Sequence, residues 1–92
     1  MIKTFRHKGL EAFYKTGSLA GIQPKHAARL REQLTALSVA NEPADLKRPG
    51  WRLHGLVGDR SGYWSLTVQA NWRVVFRFDG TDVELVDYLD YH

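Results

Sequence analysis

The segment from Trp72 to Leu89, WRVVFRFDGTDVELVDYL, decides the fold of this 92-residue chain. Apolar residues alternate with other residues on both sides of Asp79-Gly80, which is the period of a strand with one buried face. Asp-Gly is a preferred dipeptide for a tight hairpin turn. We therefore predict that the strand ending at Phe78 pairs antiparallel with a strand from about Asp82 to Leu89.

The same period of two residues extends toward the amino terminus of this hairpin. It predicts strands from Trp51 to Leu56 and from about Tyr63 to Gln69, separated by the turn cluster of residues 58–62. Ile2 and Phe5 flank a short basic segment that can add a further strand at one edge. The expected sheet is therefore a meander of four antiparallel strands, or five with this segment.

Two amphipathic helices are predicted before the strands. The first covers about His7 to Thr16 and stops at Gly17. Pro24 suits the first turn of the second helix, which should end near Asn41 because Pro43 disfavours helix at the residue before it. The apolar stripe of the second helix contains Ala27, Leu30, Leu34 and Leu37, whereas Lys25, Arg29, Glu32 and Gln33 lie off it.

This order of elements predicts an α+β domain of residues 1–92, with both helices on one face of a mainly antiparallel sheet. The opposite face, which carries Arg73 and Arg77, is left to water or to a ligand. The sheet residues expected to face the helices are Trp64, Leu66, Val68, Trp72, Val74 and Phe76.

The composition excludes several classes of protein. A hydrophobic fraction of 43% with 25% charged residues is typical of a globular protein rather than a disordered one. The absence of cysteine excludes a disulfide framework and a thiolate zinc site. The sequence has neither the apolar run of a signal peptide nor a window long enough to span a membrane, so we expect a cytoplasmic protein.

Charge is divided unevenly along the chain. Residues 1–78 hold all 13 Lys and Arg residues and five acids, a net charge of +8. Residues 79–92 hold the other five acids and no Lys or Arg, a net charge of −5. A basic body attracts phosphate backbones without choosing among sequences, although such charges can also be merely solvated surface.

The closing residues Asp90, Tyr91 and His92 form half of a predicted active site, and His54 and Arg73 from earlier strands form the other half. Asp90 and His92 share one parity of the last strand, so their side chains can point the same way if the strand continues. We expect these residues to meet on the sheet face that the helices leave bare.

This set of residue types fits cleavage of RNA without a metal. The 2′-hydroxyl attacks the adjacent phosphate, which requires a base, an acid for the departing oxygen, and positive charge on the phosphate. Arg73 supplies a charged fork for phosphate oxygens, and His54, Asp90 and His92 can carry the protons. Asp90 is either the base or the group that orients an imidazole. Tyr91 either stacks on a base or packs at the sheet edge.

The same side chains can also have purely structural roles. Arg73 can be a cross-strand partner of Glu84 or Asp87, and a strand histidine such as His54 is often half-buried and hydrogen-bonded. His54 with Asp90 and His92 can bind zinc only if the fold brings them close together. Because this chemistry needs no metal, we predict neither a metal nor another cofactor.

Several segments over essentially the whole chain form a specific combination: Met1-Ile2-Lys3 with Phe5, Leu53-His54, Gly58-Asp59-Arg60, Tyr63-Trp64-Ser65, Asn71-Trp72-Arg73 and Asp90-Tyr91-His92. It resembles the HigB toxins of the RelE/ParE toxin superfamily. The resemblance implies a RelE-like fold and a ribosome-dependent endonuclease that cuts messenger RNA within codons. It also implies neutralisation by a HigA-type antitoxin, a helix-turn-helix DNA-binding protein.

The functional positions of the family match this chain at His54, Arg73, Asp90, Tyr91 and His92. One position departs from the pattern, because Val57 stands where relatives carry a lysine. Either catalysis is weaker as a result or another basic residue such as Arg60 substitutes for that lysine.

Two other functions compete with the ribonuclease. A ParE-like toxin would inhibit DNA gyrase by binding it, and would not need His54, Asp90 and His92. A small RNA-binding module would regulate transcripts without cutting them. Contact with RNA or the ribosome is expected at a basic surface made of Lys25, Arg29, Lys47, Arg48, Arg60 and Arg77.

Overall fold

The first helix has a defined cap at each end. The computed structural model describes residues 1–91 and gives α1 as Lys8–Thr16. The Nδ1 atom of His7 accepts a hydrogen bond from the Leu10 amide at 2.9 Å, which satisfies one of the free donors of the first turn. Gly17 takes the left-handed conformation with φ of 80° and donates its amide to the Phe13 carbonyl. The predicted stop at Gly17 is confirmed.

The second helix, α2, covers Ala27–Val39 and follows a 3₁₀ turn at Pro24–His26. It ends two residues before the predicted Asn41, because Ala40 is already extended with ψ of 137°. The prediction that Gln33 lies off the buried stripe is wrong. Its side chain is fully buried, and its amide donates to the carbonyl of Thr67 at 2.8 Å, so the polar group ties α2 to the sheet.

The α+β prediction is confirmed, with two helices on an antiparallel sheet in the order β1-β2-β3-β4. The strands are β1 at His54–Gly55, β2 at Tyr63–Gln69, β3 at Trp72–Asp79 and β4 at Asp82–Asp90. Strand β1 is shorter than the predicted Trp51 to Leu56, because Arg52 has a φ of 49° that breaks the extended backbone.

The amino terminus runs beside β4 without forming a full strand. Ile2 pairs with Val83 and Phe5 with Val86, and both are isolated parallel bridges. The amides of Lys3 and Arg6 donate to the Val83 and Val86 carbonyls at 2.7 and 2.8 Å. These bonds cover part of the exposed edge of β4.

The core lies between the helices and one face of the sheet. Leu85 has a φ of 56° at a bulge in β4, and the extra residue turns both Val83 and Val86 toward the core. None of the helices within the described chain is long and apolar enough to cross a membrane. Fully buried core residues include Leu10, Leu30, Leu34, Leu37, Leu66, Val74, Phe76, Val83 and Val86.

Gly9 of α1 packs directly against the backbone of Gly21. A Cβ atom at Gly9 would lie 2.7 Å from the Gly21 Cα and 2.8 Å from its carbonyl oxygen. Alanine is favoured over glycine in a helix by about 1 kcal/mol, but backbone atoms cannot rotate out of the way as a side chain can. We expect Gly9→Ala to destabilise the fold by about 1 kcal/mol net, since overpacking costs about 1–3 kcal/mol.

Thermal unfolding measures this effect, and a loss of about 1 kcal/mol lowers the melting temperature by about 4–8 °C in a domain of this size. Lys8→Ala, at an exposed position of the same helix, is the matched control and should leave the melting temperature nearly unchanged. A Gly9→Ala variant that melts above the wild type would show that α1 can move away from Gly21.

Candidate active site

A cleft of about 420 Å³ opens on the sheet face away from the helices. Cross-strand partners share a face, and the register pairs His54 with Ser65 and Thr67 with Arg73. His54 of β1, Arg73 of β3 and Tyr91, directly after β4, therefore line one cleft. The remaining lining residues are Arg52, Leu53, Leu56, Ser65 and Thr67.

The Arg73 guanidinium is held by the main chain. Its Nη1 group donates to the Ala70 carbonyl at 2.6 Å and to the Trp72 carbonyl at 3.0 Å. Within residues 1–91 no carboxylate forms an ion pair with Arg73, and Glu84 pairs instead with Arg77 at 2.6 Å. Arg73 is therefore positioned by neutral carbonyls, and its positive charge is directed to the cleft rather than neutralised by a described acid.

His54 presents an exposed imidazole at the rim of the cleft. It lies opposite Ser65, which is buried, so the neighbouring strand supports its backbone while the ring remains accessible. Arg52, with its unfavourable positive φ, lies two residues earlier and lines the same cleft. Backbone strain of this kind often occurs at functional sites.

Tyr91 connects the cleft with Arg60. The Arg60 guanidinium lies 5.9 Å from the centre of the Tyr91 ring, and its Nη1 group donates to the Tyr91 hydroxyl at 3.4 Å. Val57, at the position where the resemblance to the family implies a lysine, is 86% exposed. Arg60 thus places a basic group beside the cleft although position 57 is apolar.

Asp90 does not share this cleft. It pairs with Trp72 across β3 and β4, and Trp72 packs against the helix-side core. Asp90 therefore lines a second cavity together with Lys25 and His26. The expectation that Asp90 lies on the bare face beside Arg73 is wrong, because successive residues of a strand point to opposite faces. His92, the other predicted proton carrier, lies outside the described residues.

His26 is a buried residue whose place the sequence did not indicate. It is 1% exposed, and its Nδ1 atom lies 2.6 Å from the Tyr88 hydroxyl. Burial lowers the pKa of His26 and raises the pKa of Tyr88. The pair therefore stays neutral near pH 7 and packs with Trp72, whose ring centre is 4.6 Å from that of Tyr88. This arrangement supports the strand that carries Asp90.

The predicted basic surface is divided among different parts of the molecule. Lys25 lines the Asp90 cavity, and Arg48 lies over the Trp51 ring at 4.9 Å. Arg77 is on the cleft face but is ion-paired with Glu84, which raises the pKa of Arg77. Arg60 contacts the cleft through Tyr91. Arg29 is half-buried and Lys47 exposed.

Sequence reasoning missed Ser65 and Thr67 as cleft residues. Their strand parity was a usable signal, because they alternate with the core residues Leu66 and Val68. Among residues 1–91, no group of three His, Cys, Asp or Glu side chains is arranged to hold a metal ion.

Comparison with known proteins gives consistent matches over the full chain. Residues 3–92 match the sequence model of a family described as the RelE-like toxin of type II toxin-antitoxin system HigB. The chain is 44% identical over 92 residues to Endoribonuclease HigB of Proteus vulgaris, covering 100% of both chains. It is 34% identical over 95 residues to Toxin HigB-1 of Vibrio cholerae serotype O1, covering 100% of this chain and 98% of the relative.

The fold is also similar to that of a solved structure. A YoeB/ParE toxin from Agrobacterium tumefaciens superposes with a TM-score of 0.56 and 16% sequence identity. The superposition covers 99% of this chain and 97% of that one. At this identity the similarity supports the RelE-like fold, and the roles of individual residues are not transferred from that structure.

Proposed function

The chain belongs to the HigB family of RelE-like toxins of type II toxin–antitoxin systems, and we propose that it is an endoribonuclease that cuts messenger RNA on the ribosome. The observation that carries this proposal is the shared cleft of His54, Arg73 and Tyr91. A relative 44% identical over the whole chain is named as an endoribonuclease. Family membership itself implies an antitoxin partner.

Arg73 stabilises the phosphate in this proposal. During cleavage the 2′-oxygen bonds to phosphorus while the bond to the 5′-oxygen breaks, and negative charge accumulates on the equatorial oxygens. A preorganised cation lowers that barrier without having to reorganise during the reaction. The anchoring of Arg73 by two main-chain carbonyls supports this role.

His54 carries one of the two protons, as the base for the 2′-hydroxyl or as the acid for the 5′-oxygen. Its exposed position at the rim of the cleft suits direct contact with the reacting atoms. Tyr91, whose ring borders both the cleft and Arg60, stacks on an unpaired base. Cation–π contact with Arg60 favours a ring held in one orientation.

Asp90 takes the orienting role, which is one of the two roles predicted for it. Its position in a different cavity from Arg73 favours this role over direct contact with the phosphate. His92 stays a second proton carrier by resemblance to the family. We expect Asp90→Asn to lower cleavage, because either role requires the negative charge. Unchanged cleavage by that variant would remove Asp90 from the proposal.

The ribosome positions the message, which a shallow cleft cannot do alone. Positioning of the reacting groups can lower a barrier by about 7–11 kcal/mol in favourable cases, and a small open site cannot bend the message by itself. We expect efficient cleavage within codons of translated messages and poor cleavage of naked RNA. Translation-dependent cleavage in vitro, with and without ribosomes, measures the difference. Equal cleavage of free RNA would contradict ribosome dependence.

The two competing functions predict different products. A gyrase-binding toxin would arrest growth and leave messages intact. A non-cutting RNA-binding module would also leave 5′ ends unchanged. Mapping the 5′ ends of ribosome-associated messages after induction separates both from the nuclease, since only the nuclease creates new ends.

The remaining partners follow from this proposal. A toxin that acts on translating ribosomes works in the cytoplasm and binds ribosome and message through basic side chains such as Lys25 and Arg60. The antitoxin implied by the family is of the HigA type, a helix-turn-helix DNA-binding protein. Co-purification of the chain with a HigA-type protein tests that assignment.

A further inference from the structure

A third cavity, of about 230 Å³ and lined by Asp87, lies on the same sheet face as the cleft. Its floor is formed by Val75 and Leu85, and its wall by Tyr63. Val75 is 2% exposed although it is not part of the core between the helices and the sheet. The side chains around this cavity therefore cover it. The sheet face thus has an apolar floor next to the candidate active site.

Arg60 connects this cavity with the cleft. It lines this third cavity and contacts Tyr91, which lines the cleft. Arg6 also lines this third cavity, and Asp59 contributes a carboxylate to the same lining. An RNA strand that places one phosphate at Arg73 can therefore continue past Arg60 into this cavity.

The one acid that projects from β4 into the cavity is held in place by its own strand. The Oδ1 atom of Asp87 accepts the Tyr88 amide at 2.9 Å, and Asp87 pairs with Val75 of β3. Tyr63 is also held in place by a neighbour. The Arg77 guanidinium, which is paired with Glu84, lies 5.9 Å from the centre of the Tyr63 ring. The aromatic wall and the acceptor are both preorganised.

We propose that this cavity binds a nucleobase of the message next to the cleavage site and that Asp87 selects a base carrying an amino group. The proposal rests on the proposed function. An ionised carboxylate only accepts hydrogen bonds. The pairing edges of adenine, cytosine and guanine each present amino hydrogens. Uracil presents one ring N–H between two carbonyl oxygens, and these acceptors oppose a carboxylate.

The experiment uses a translation assay with messages randomised around the cut, and sequencing of the fragment ends. With the wild type, uracil should be under-represented by about tenfold at one position beside the cut, the size of effect that a single good base contact gives. In Asp87→Asn the amide both donates and accepts, so this bias should disappear at that position while preferences elsewhere remain.

Asp82→Asn is the matched control, because it removes the same charge from the other end of β4. It should retain the bias against uracil. Asp87→Ala is a second variant that also removes the acceptor, and a thermal melt of each protein shows that it is folded. Retention of the bias in both Asp87 variants, or its absence from the wild type, overturns the proposal. Absence of any cleavage by the wild type is a separate result, which refutes the proposed function and this inference with it.

Discussion

Replacing Arg73 with alanine is expected to lower the rate of message cleavage by about 10²–10³-fold, the loss typical of removing one preorganised group that stabilises transition-state charge. The effect should be large because no carboxylate of residues 1–91 neutralises this guanidinium. Arg73→Lys keeps the charge but loses the planar fork, so it should recover only part of the rate. Single-turnover cleavage on stalled ribosomes measures both variants.

Arg77→Ala is the matched control for Arg73, since both arginines lie on the same strand and face. The charge of Arg77 is balanced by Glu84, so its removal should reduce cleavage far less. Thermal melts and antitoxin binding check that each variant is folded. If Arg77→Ala and Arg73→Ala lower the cleavage rate by the same factor, the loss reflects weaker general attraction of RNA. It then does not reflect phosphate stabilisation by Arg73.

The second large effect is expected from His54→Ala, which should lower cleavage by about 10²–10⁴-fold, the usual contribution of one acid–base group. The side chain is exposed, so the melting temperature should change little. Loss of activity without loss of stability distinguishes a chemical role from the packing role that a strand histidine often has.

Imidazole added to the buffer provides a further readout for His54. A small base can occupy the space that the missing ring leaves and restore part of the proton transfer. We expect added imidazole to raise cleavage by His54→Ala but not by Arg73→Ala, because the latter lacks a charge rather than a proton carrier. A His54→Ala variant with full activity would contradict the assignment of proton transfer to this residue.

Local sequence patterns were sufficient for the fold. The two-residue period around Asp79-Gly80 predicted the β3–β4 hairpin, and the three-to-four spacing in α2 predicted a helix with its buried stripe. These signals are local, because strand alternation and helix periodicity depend on neighbours within one or two turns. The same alternation placed Arg73 on the face away from the helices, and the resemblance named the family.

The tertiary structure decided which side chains share a cavity. Asp90, the last residue of β4, and Tyr91, which follows it, are adjacent in sequence, yet they line different cavities. The bulge at Leu85 and the buried Gln33 break the simple patterns, since each depends on a contact with a distant strand. Likewise, the cavity around Asp87 exists only because residues from the amino terminus, the turn after β1 and three strands meet there. A pattern along the chain specifies the face on which a residue lies, but packing between distant segments determines its neighbours.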